Sequence, residues 1–169
     1  MTSTVTAAGP GLEHSCTEVV VINRHKDDVY RALHDVREWP RHLPHVLEID
    51  VRYDDGRYQE FFMTVDSADS RLRVRSVRGC RADLIEFFQP EPPVFLRHHA
   101  GSWRFRALPD GACEVVATHA WTLAPAEAAA SFPDTPAATT AQRVRALLAE
   151  HSRLALTTWR RVLEASAAR

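Results

Sequence analysis

Six short segments rich in β-forming residues, each separated from the next by a turn signal, fill the chain between residues 45 and 123. The first, HVLEIDVRY, ends at Asp54-Asp55-Gly56, which is a strong hairpin signal. The others are RYQEFFMTV, LRVRSVRGC, ADLIEFF, VFLRHHAGSWRFRAL and CEVVATHAWTL, with a Pro-rich corner at 90–93 and a turn at Pro109-Asp110-Gly111. Consecutive strands joined by short turns form an antiparallel meander. The chain is therefore predicted to fold around one antiparallel sheet.

A further strand and two short helices are predicted before this meander. The segment EHSCTEVVVI (13–22) is rich in β-branched residues and has no Gly or Pro, which favours a strand. Asn23 is the expected cap of a helix that ends at Trp39-Pro40, because proline disfavours helix in the residue before it. The stretch RHLP predicts a second helical turn. The buried stripe of the first helix is predicted to be Val29, Leu33 and Val36.

The last part of the chain predicts one long amphipathic helix. An Ala- and Pro-rich linker at 124–136 is followed by a helical stretch at about 137–167, which would be roughly 45 Å long. One face of this helix carries Val144, Leu147, Leu148, His151, Ala155, Thr158 and Val162. A curved sheet covered by one such helix leaves a gap between them, and gaps of this kind are typical ligand sites.

Composition narrows the class of protein. A chain of 169 residues with 45% apolar and 25% charged residues suits a single globular domain, predicted at 13–169 after a flexible leader at 1–12. The net charge of −1 argues against a duplex-binding protein. No apolar run approaches the roughly 18 residues of a membrane span, and the first residues lack the pattern of a secretory signal.

The cysteines and histidines do not predict a metal or disulfide framework. Cys16, Cys80 and Cys113 are far apart and odd in number, which fits small core residues in a reducing cytoplasm. His98 and His99 are adjacent on a strand and so face opposite sides, and no third ligand stands at a recognisable spacing from them. We therefore expect no metal site.

Several stretches in a fixed order carry a resemblance to a known family: VINRHKDDVYRALHDVREWPRHLP, AGSWRF, THAW and AEHSRLAL. The chain resembles the START/SRPBCC superfamily and, more narrowly, its bacterial polyketide aromatase/cyclases and the related START-like proteins of enediyne pathways. The resemblance implies an α+β helix-grip fold. In that fold a curved antiparallel sheet of about seven strands wraps around a long C-terminal helix, with two short helices after the first strand.

The resemblance also implies a cofactor-independent activity and two catalytic positions. Such enzymes bind a poly-β-ketone held on an acyl carrier protein and promote its aldol cyclisation and aromatisation, with an arginine on a central strand and a histidine on the last strand proposed as catalytic residues. The motif alignment places these on Arg78 and His119, and strand alternation points both inward. A one-residue shift would select Arg75 instead. A guanidinium suits an enolate oxygen, and an imidazole suits proton transfer.

Other side chains on the apolar faces are predicted to contact a hydrophobic ligand: Phe61, Met63, Val65, Val74, Phe95, His99, Trp103, Phe105, Trp121 and His151. Arg71, Arg73 and Arg75 face outward, with Arg52 or Arg57 nearby, and could steer an acidic carrier protein. Neither nucleic acid nor a membrane is an expected partner, and both a monomer and a homodimer remain open.

Two departures from the enzyme pattern keep an alternative function open. Several relatives carry an aspartate where this chain has Ala155, and others carry a tyrosine where it has Val46. The alternative is a non-catalytic protein that sequesters or delivers a polyketide or enediyne product, as in self-resistance. A lipid-carrying or regulatory START-like module is a third possibility.

Overall fold

The computed structural model describes residues 12–67 and 70–167, so nearly all of the predicted leader lies outside the described residues. The elements, in chain order, are strand β1 (His14–Ile22), helix α1 (Lys26–His34), a 3₁₀ turn (Val36–Glu38), helix α2 (Trp39–His42), strands β2 (Val46–Asp54), β3 (Tyr58–Ser67), β4 (Ser70–Arg81), β5 (Leu84–Glu91), β6 (Leu96–Ala107) and β7 (Cys113–Leu123), and helices α3 (Pro125–Ser131) and α4 (Ala137–Ala167).

The seven strands form one antiparallel sheet in the order β1-β7-β6-β5-β4-β3-β2. From β2 to β7 each strand pairs with the next in sequence, which confirms the predicted meander. The first strand closes the other edge by pairing with β7, with Val20 opposite Val115. Helix α4 contacts β1, β7 and α2, and its apolar face closes the concave side of the sheet. This arrangement is the helix-grip fold that the family resemblance implies.

The helical connection after β1 differs in detail from the prediction. The residue that caps α1 is His25, not Asn23, and its Nδ1 accepts a hydrogen bond from the Asp27 amide at 3.4 Å. Asn23 instead donates its backbone N–H to Glu164 on α4 at 2.8 Å. Helix α1 ends at His34, and Pro40 lies in the first turn of α2, where the missing N–H of proline leaves no helical hydrogen bond unmade.

The predicted linker at 124–136 contains the short helix α3. Its alanines are strong helix formers, and Pro125 stands in the first turn, where proline is favoured. The Ala124 amide donates to the Phe95 carbonyl at 3.0 Å, and Ala128 is buried. The segment therefore packs against the body of the domain instead of merely connecting two elements.

Two apolar clusters make up the core, and α4 contributes to both. The larger cluster lies between α1, the sheet and the C-terminal half of α4, where Leu156 and Trp159 are buried. The smaller one contains Val144 and Leu148 of α4. Fully burying one such side chain contributes about 1.5–3 kcal/mol. No helix in the described part of the chain is long and apolar enough to cross a membrane.

Candidate functional site

A cavity of about 170 Å³ lies between the concave face of the sheet and α4. A cavity of this volume has room for on the order of ten water molecules. Its walls come from strands β2 to β7, from α1 and α2, and from one face of α4, and they are mainly apolar. The domain therefore has the hollow interior that the sequence predicts.

Most of the predicted site residues line this cavity. Both proposed catalytic residues, Arg78 and His119, do so. The predicted ligand contacts that also do so are Phe61, Met63, Val65, Val74, Phe95, His99, Trp103 and His151. Alternation therefore identified the correct face for the residues on strands, whereas Phe95 lies just before β6 and His151 lies on α4.

Two predicted contacts, Phe105 and Trp121, do not line the cavity. Phe105 is buried in the larger cluster, with its ring edge-on to Tyr30 at 5.3 Å between centroids. Trp121 is buried in the smaller cluster and stacks on His14 at 5.8 Å. Strands β6 and β7 run further than the cavity does, so inward residues near their ends meet other parts of the core.

The side chain of Arg78 is the largest buried polar group on the cavity wall. It is 1% exposed, and its Nη2 donates to the Leu33 carbonyl at 2.9 Å. Its Nε and Nη1 find no partner among the described residues, and no described carboxylate forms an ion pair with it. Arg75, the alternative, faces outward and bonds Glu60 at 2.8 Å. Alternation thus places Arg78, and not Arg75, on the inner face.

Aromatic rings surround the Arg78 guanidinium, and the Cys80 thiol and the Asp54 carboxylate also act on it. Its carbon lies 5.5 Å from the ring centroid of Trp39, 5.8 Å from that of Phe61 and 5.6 Å from that of Trp103. Burial lowers the pKa of Arg78 to about 10, so the group is still charged at neutral pH. Ring faces attract a cation but accept no strong hydrogen bond, and two donor positions are left for a ligand.

Further unsatisfied polar groups belong to cavity-lining residues. Nε1 of Trp39 and Oγ of Ser152 are buried without a hydrogen-bond partner among the described residues. A buried donor left without an acceptor costs about 1–3 kcal/mol. The site therefore favours a ligand that brings acceptor oxygens.

A chain of hydrogen bonds crosses four adjacent strands at the other polar part of the cavity. Gln89 Nε2 donates to Ser76 Oγ at 3.2 Å, and Gln89 Oε1 lies 2.6 Å from His99 Nδ1. His99 Nε2 in turn lies 3.0 Å from His119 Nδ1. Burial, and secondarily the charge of His119, lowers the pKa of His99 to about 3, and burial followed by His151 lowers that of His119 to about 4. Both imidazoles are therefore neutral at pH 7.

The ring of Phe87 packs against both histidines, at 5.5 Å from each centroid. Gly101 lies between Phe87 and His119 in the sheet. A Cβ at this position would stand 2.6 Å from the Phe87 ring and 2.1 Å from the Thr118 carbonyl oxygen. The absent side chain of Gly101 is therefore what allows Phe87 to hold the histidine pair.

Sequence reasoning missed Ser76, Phe87 and Gln89 as parts of the site. Ser76 shares the inward face with Arg78, and alternation in β5 would have extended from Phe87 to Gln89. Gln89 escaped notice because the predicted strand ended at residue 88, before the Pro-rich corner. The observed strand continues to Glu91 despite Pro90.

The remaining titratable groups on the cavity wall are His45, Asp66 and His151. Burial is the main cause that lowers the pKa of both His45 and His151. Val46 and Ala155, the two departures from the enzyme pattern, also line the cavity. The described residues include no cluster of three or more side chains suited to hold a metal ion.

The outward arginines are largely engaged with neighbours. The Arg73 guanidinium lies 3.7 Å from the ring centroid of Phe62, and Arg52, at 5.6 Å, shares that ring. Both also reach Asp50. Arg57 instead lies over Tyr58. Of the two candidates Arg52 and Arg57, Arg52 is therefore the one that lies beside the outward arginines of β4. Acidic side chains partly neutralise the charge of this face.

Comparison with known proteins finds a family and a set of similar structures. A family model described as polyketide cyclase / dehydrase and lipid transport matches residues 22–145. No curated protein matches the chain.

Two of the similar structures are di-domain proteins. The di-domain ARO/CYC StfQ from the steffimycin biosynthetic pathway aligns with a TM-score of 0.82 and 25% identity over 92% of this chain and 52% of its own. The di-domain ARO/CYC BexL from the BE-7585A biosynthetic pathway gives 0.79 and 28% over 87% of this chain and 48% of its own. The chain thus spans about half the length of these two proteins.

A third similar structure is close to this chain in length. The Zhui aromatase/cyclase from Streptomyces sp. R1128 aligns with a TM-score of 0.79 over 89% of this chain and 93% of its own. Its identity is 19%, so the likeness is one of fold.

Proposed function

Since the chain belongs to the polyketide cyclase/dehydrase and lipid transport family, we propose that this protein binds a poly-β-ketone in its cavity and promotes the aldol cyclisation and aromatisation of that polyketide. The observation that carries this proposal is the buried, unpaired guanidinium of Arg78 on the cavity wall. A buried cation with free donors calls for a ligand that presents oxygen atoms and develops negative charge.

The polar groups of the cavity match the chemistry of a poly-β-ketone. Such a chain carries a carbonyl oxygen on every second carbon, and each oxygen accepts hydrogen bonds. Arg78 offers two free donor atoms, and Trp39 and Ser152 each have an unpartnered polar atom. The apolar walls, including Phe61 and Met63, suit the hydrocarbon part of the ligand.

In the proposed mechanism Arg78 and His119 act on one carbonyl group and its neighbouring methylene. His119 accepts a proton from the carbon between two carbonyls, and the enolate oxygen so formed is held by Arg78. The enolate carbon then attacks a second carbonyl carbon of the same polyketide, and the oxygen of that carbonyl takes the proton back from His119 to become a hydroxyl. Loss of this hydroxyl with a neighbouring proton, as water, gives the double bond of the ring. Only protons and substrate electron pairs move, so the proposal includes no cofactor.

The cavity walls contribute by bringing the two reacting carbons together. Holding two groups of a flexible chain in a reactive geometry can supply about 7–11 kcal/mol of a barrier. The shape of the wall therefore selects which carbons meet and hence the position of the ring.

Reconstitution with a polyketide synthase and its carrier protein tests this function. We expect the wild-type chain to change the spectrum of cyclised products and the double variant Arg78→Ala, His119→Ala to leave that spectrum as it is without added protein. Arg104→Ala and His98→Ala, at exposed positions on β6 outside the proposed carrier surface, are matched controls and should behave as the wild type. Identical spectra for the wild type, the double variant and no added protein would refute the enzymatic function.

A second candidate function is non-catalytic binding of a finished polyketide or enediyne product. Ala155 and Val46 favour it, because both line the cavity and neither can transfer a proton. In that case the double variant would still bind the product, and an activated enediyne would cleave the backbone of the protein into fragments visible by mass spectrometry. The family description also includes lipid transport, which binding of a fluorescent fatty acid would test.

An acyl carrier protein is the macromolecular partner that we propose for the enzymatic function. Arg71 and Arg73 on the outer face of β4 are exposed and could attract an acidic carrier. The rate of cyclisation of a carrier-bound substrate should then fall as the salt concentration rises. This rate should depend less on salt in the double variant Arg71→Gln, Arg73→Gln. A cytoplasmic location and the choice between monomer and homodimer stay predictions from the sequence.

A further inference from the structure

We propose that Gln89 and His99 are positioning residues that hold His119 as the tautomer with its proton on Nδ1, which leaves the lone pair of Nε2 as the basic atom. The consequence for catalysis rests on the proposed function, in which His119 transfers protons. The tautomer itself is a property of the protein without substrate.

The order of donors and acceptors begins at Gln89. Its Nε2 donates to Ser76 Oγ, so its carbonyl oxygen Oε1 is the atom that faces His99, at 2.6 Å. A carbonyl oxygen accepts hydrogen bonds and never donates them. The proton in this bond must therefore be on Nδ1 of His99.

The next bond in the chain fixes His119. His99 is 5% exposed and neutral, so with a proton on Nδ1 its Nε2 carries only a lone pair. That lone pair lies 3.0 Å from Nδ1 of His119, and the two rings are within 19° of parallel. Nδ1 of His119 must then be the donor, and a neutral His119 has no proton on Nε2.

Packing keeps the two rings in this arrangement. Phe87 lies edge-on to both rings, at 5.5 Å from each, and Gly101 leaves the space for it. Free imidazole side chains in water prefer the proton on Nε2. The chain of hydrogen bonds therefore reverses the intrinsic preference of His119.

Having the neutral side chain of His99 as its partner also suits His119 to return a proton after it has accepted one. A carboxylate beside an imidazole would favour the charged form of the ring, whereas a neutral imidazole such as His99 does so much less. His119 thus stays unprotonated until substrate supplies a proton. Its conjugate acid is then a stronger acid than an ordinary imidazolium and a suitable donor to the hydroxyl that leaves during dehydration.

Nuclear magnetic resonance of the full chain labelled with ¹⁵N-histidine tests the tautomer directly. Long-range ¹H–¹⁵N spectra at pH 7 should show His119 with a protonated Nδ1 and an unprotonated Nε2, the signals being assigned by their loss in His119→Ala. In His99→Leu and in Gln89→Met we expect His119 to shift toward the Nε2–H form. His98→Leu, at an exposed position on the outer face, serves as the matched control and should keep the wild-type tautomer.

A wild-type His119 protonated on Nε2 would overturn the proposal, and so would an unchanged tautomer in folded His99→Leu. If His99→Leu fails to fold, Gln89→Met, which conserves volume, gives the same test. In the cyclisation assay His99→Leu should lower the turnover rate about 10- to 100-fold with little change in KM, the range found when partners of metal-bound histidines are removed. The tautomer measured without substrate still stands if no cyclase activity is found, so the two proposals can fail separately.

Discussion

The two polar regions of the cavity are built in opposite ways. The Arg78 guanidinium has one hydrogen bond to a carbonyl and aromatic rings on its other sides, so the protein leaves it incomplete. His119 lies at the end of a chain in which each inner polar atom has a partner on the next strand. The first region is completed by a ligand, whereas the second region has its orientation set in advance.

Because of this difference, the free energy of ligand binding depends on the Arg78 region, whereas the orientation of the proposed base depends on the histidine region. An unpaired buried donor reduces the stability of the empty protein and returns that free energy when a ligand oxygen arrives. A fully bonded network costs little when empty and fixes the direction in which its last atom points. The domain therefore combines a site that demands a ligand with a base that needs no rearrangement.

Removal of the terminal imidazole should give the largest loss of activity. His119→Leu removes the proposed proton acceptor, and such groups usually contribute about 10²–10⁴-fold to a rate. Single-turnover cyclisation of a carrier-bound substrate measures this effect. A rate that falls by less than about threefold in His119→Leu would show that the histidine region has no part in the chemistry.

Replacement of the guanidinium should separate activity from stability. Arg78→Met removes the donors to the enolate oxygen, and loss of one such donor costs about 10²–10³-fold in rate. The free energy of unfolding should stay the same or rise, because removing a buried cation that has no ion-pair partner outweighs the loss of its hydrogen bond to the Leu33 carbonyl. Urea denaturation measures the stability, with Arg75→Met on the outer face of the same strand as the control. A marked loss of stability would mean that the protein itself satisfies Arg78.

Disturbance of the packing behind the histidines should act on stability. Gly101→Ala forces a Cβ against the Phe87 ring and a carbonyl oxygen, and overpacking of this kind costs about 1–3 kcal/mol. Gly79→Ala on β4 is the matched control, since its Cβ would meet only a Tyr58 ring atom at 3.9 Å. Equal stabilities of the two variants would contradict the packing role assigned to Gly101.

Acid should lower the free energy of unfolding, because the buried pair His99 and His119 resists protonation in the folded protein. The unfolded chain binds protons on these residues near pH 6.5, whereas the folded pKa values are about 3 for His99 and about 4 for His119. Their contribution to stability is thus complete above pH 6.5 and is lost as the pH falls toward 4. At pH 5 the loss should be on the order of 1–2 kcal/mol for each histidine. Urea denaturation between pH 5 and 7 should show a weaker pH dependence for His99→Leu, His119→Leu, and equal slopes would refute it.

The fold and most of the site could be predicted from local patterns. Turn signals and the two-residue period of the strands gave the meander, and the same period put Arg78 rather than Arg75 on the inner face. That period states which face a residue shares but not where along the strand the cavity ends. Phe105 and Trp121 therefore had the right face and the wrong neighbours.

Other parts of the site depend on contacts between distant segments. Gln89 was missed because Pro90 suggested that the strand had ended, yet proline is tolerated where no ladder hydrogen bond is required of its nitrogen. The histidine pair needs β6 and β7 in a register that places Gly101 opposite His119. No spacing within a single segment encodes that register.

The pairing of β1 with β7 has a consequence for how the domain is made. Strand β1 leaves the ribosome before the other strands of this sheet, and its partner β7 follows only after the rest of the meander has been synthesised. Contacts between such distant segments slow folding, because a long loop must be closed before any pairing energy is gained. Until then the valines of β1 remain unpaired, and the nascent chain is open to aggregation at this strand while residues 23–123 are being synthesised.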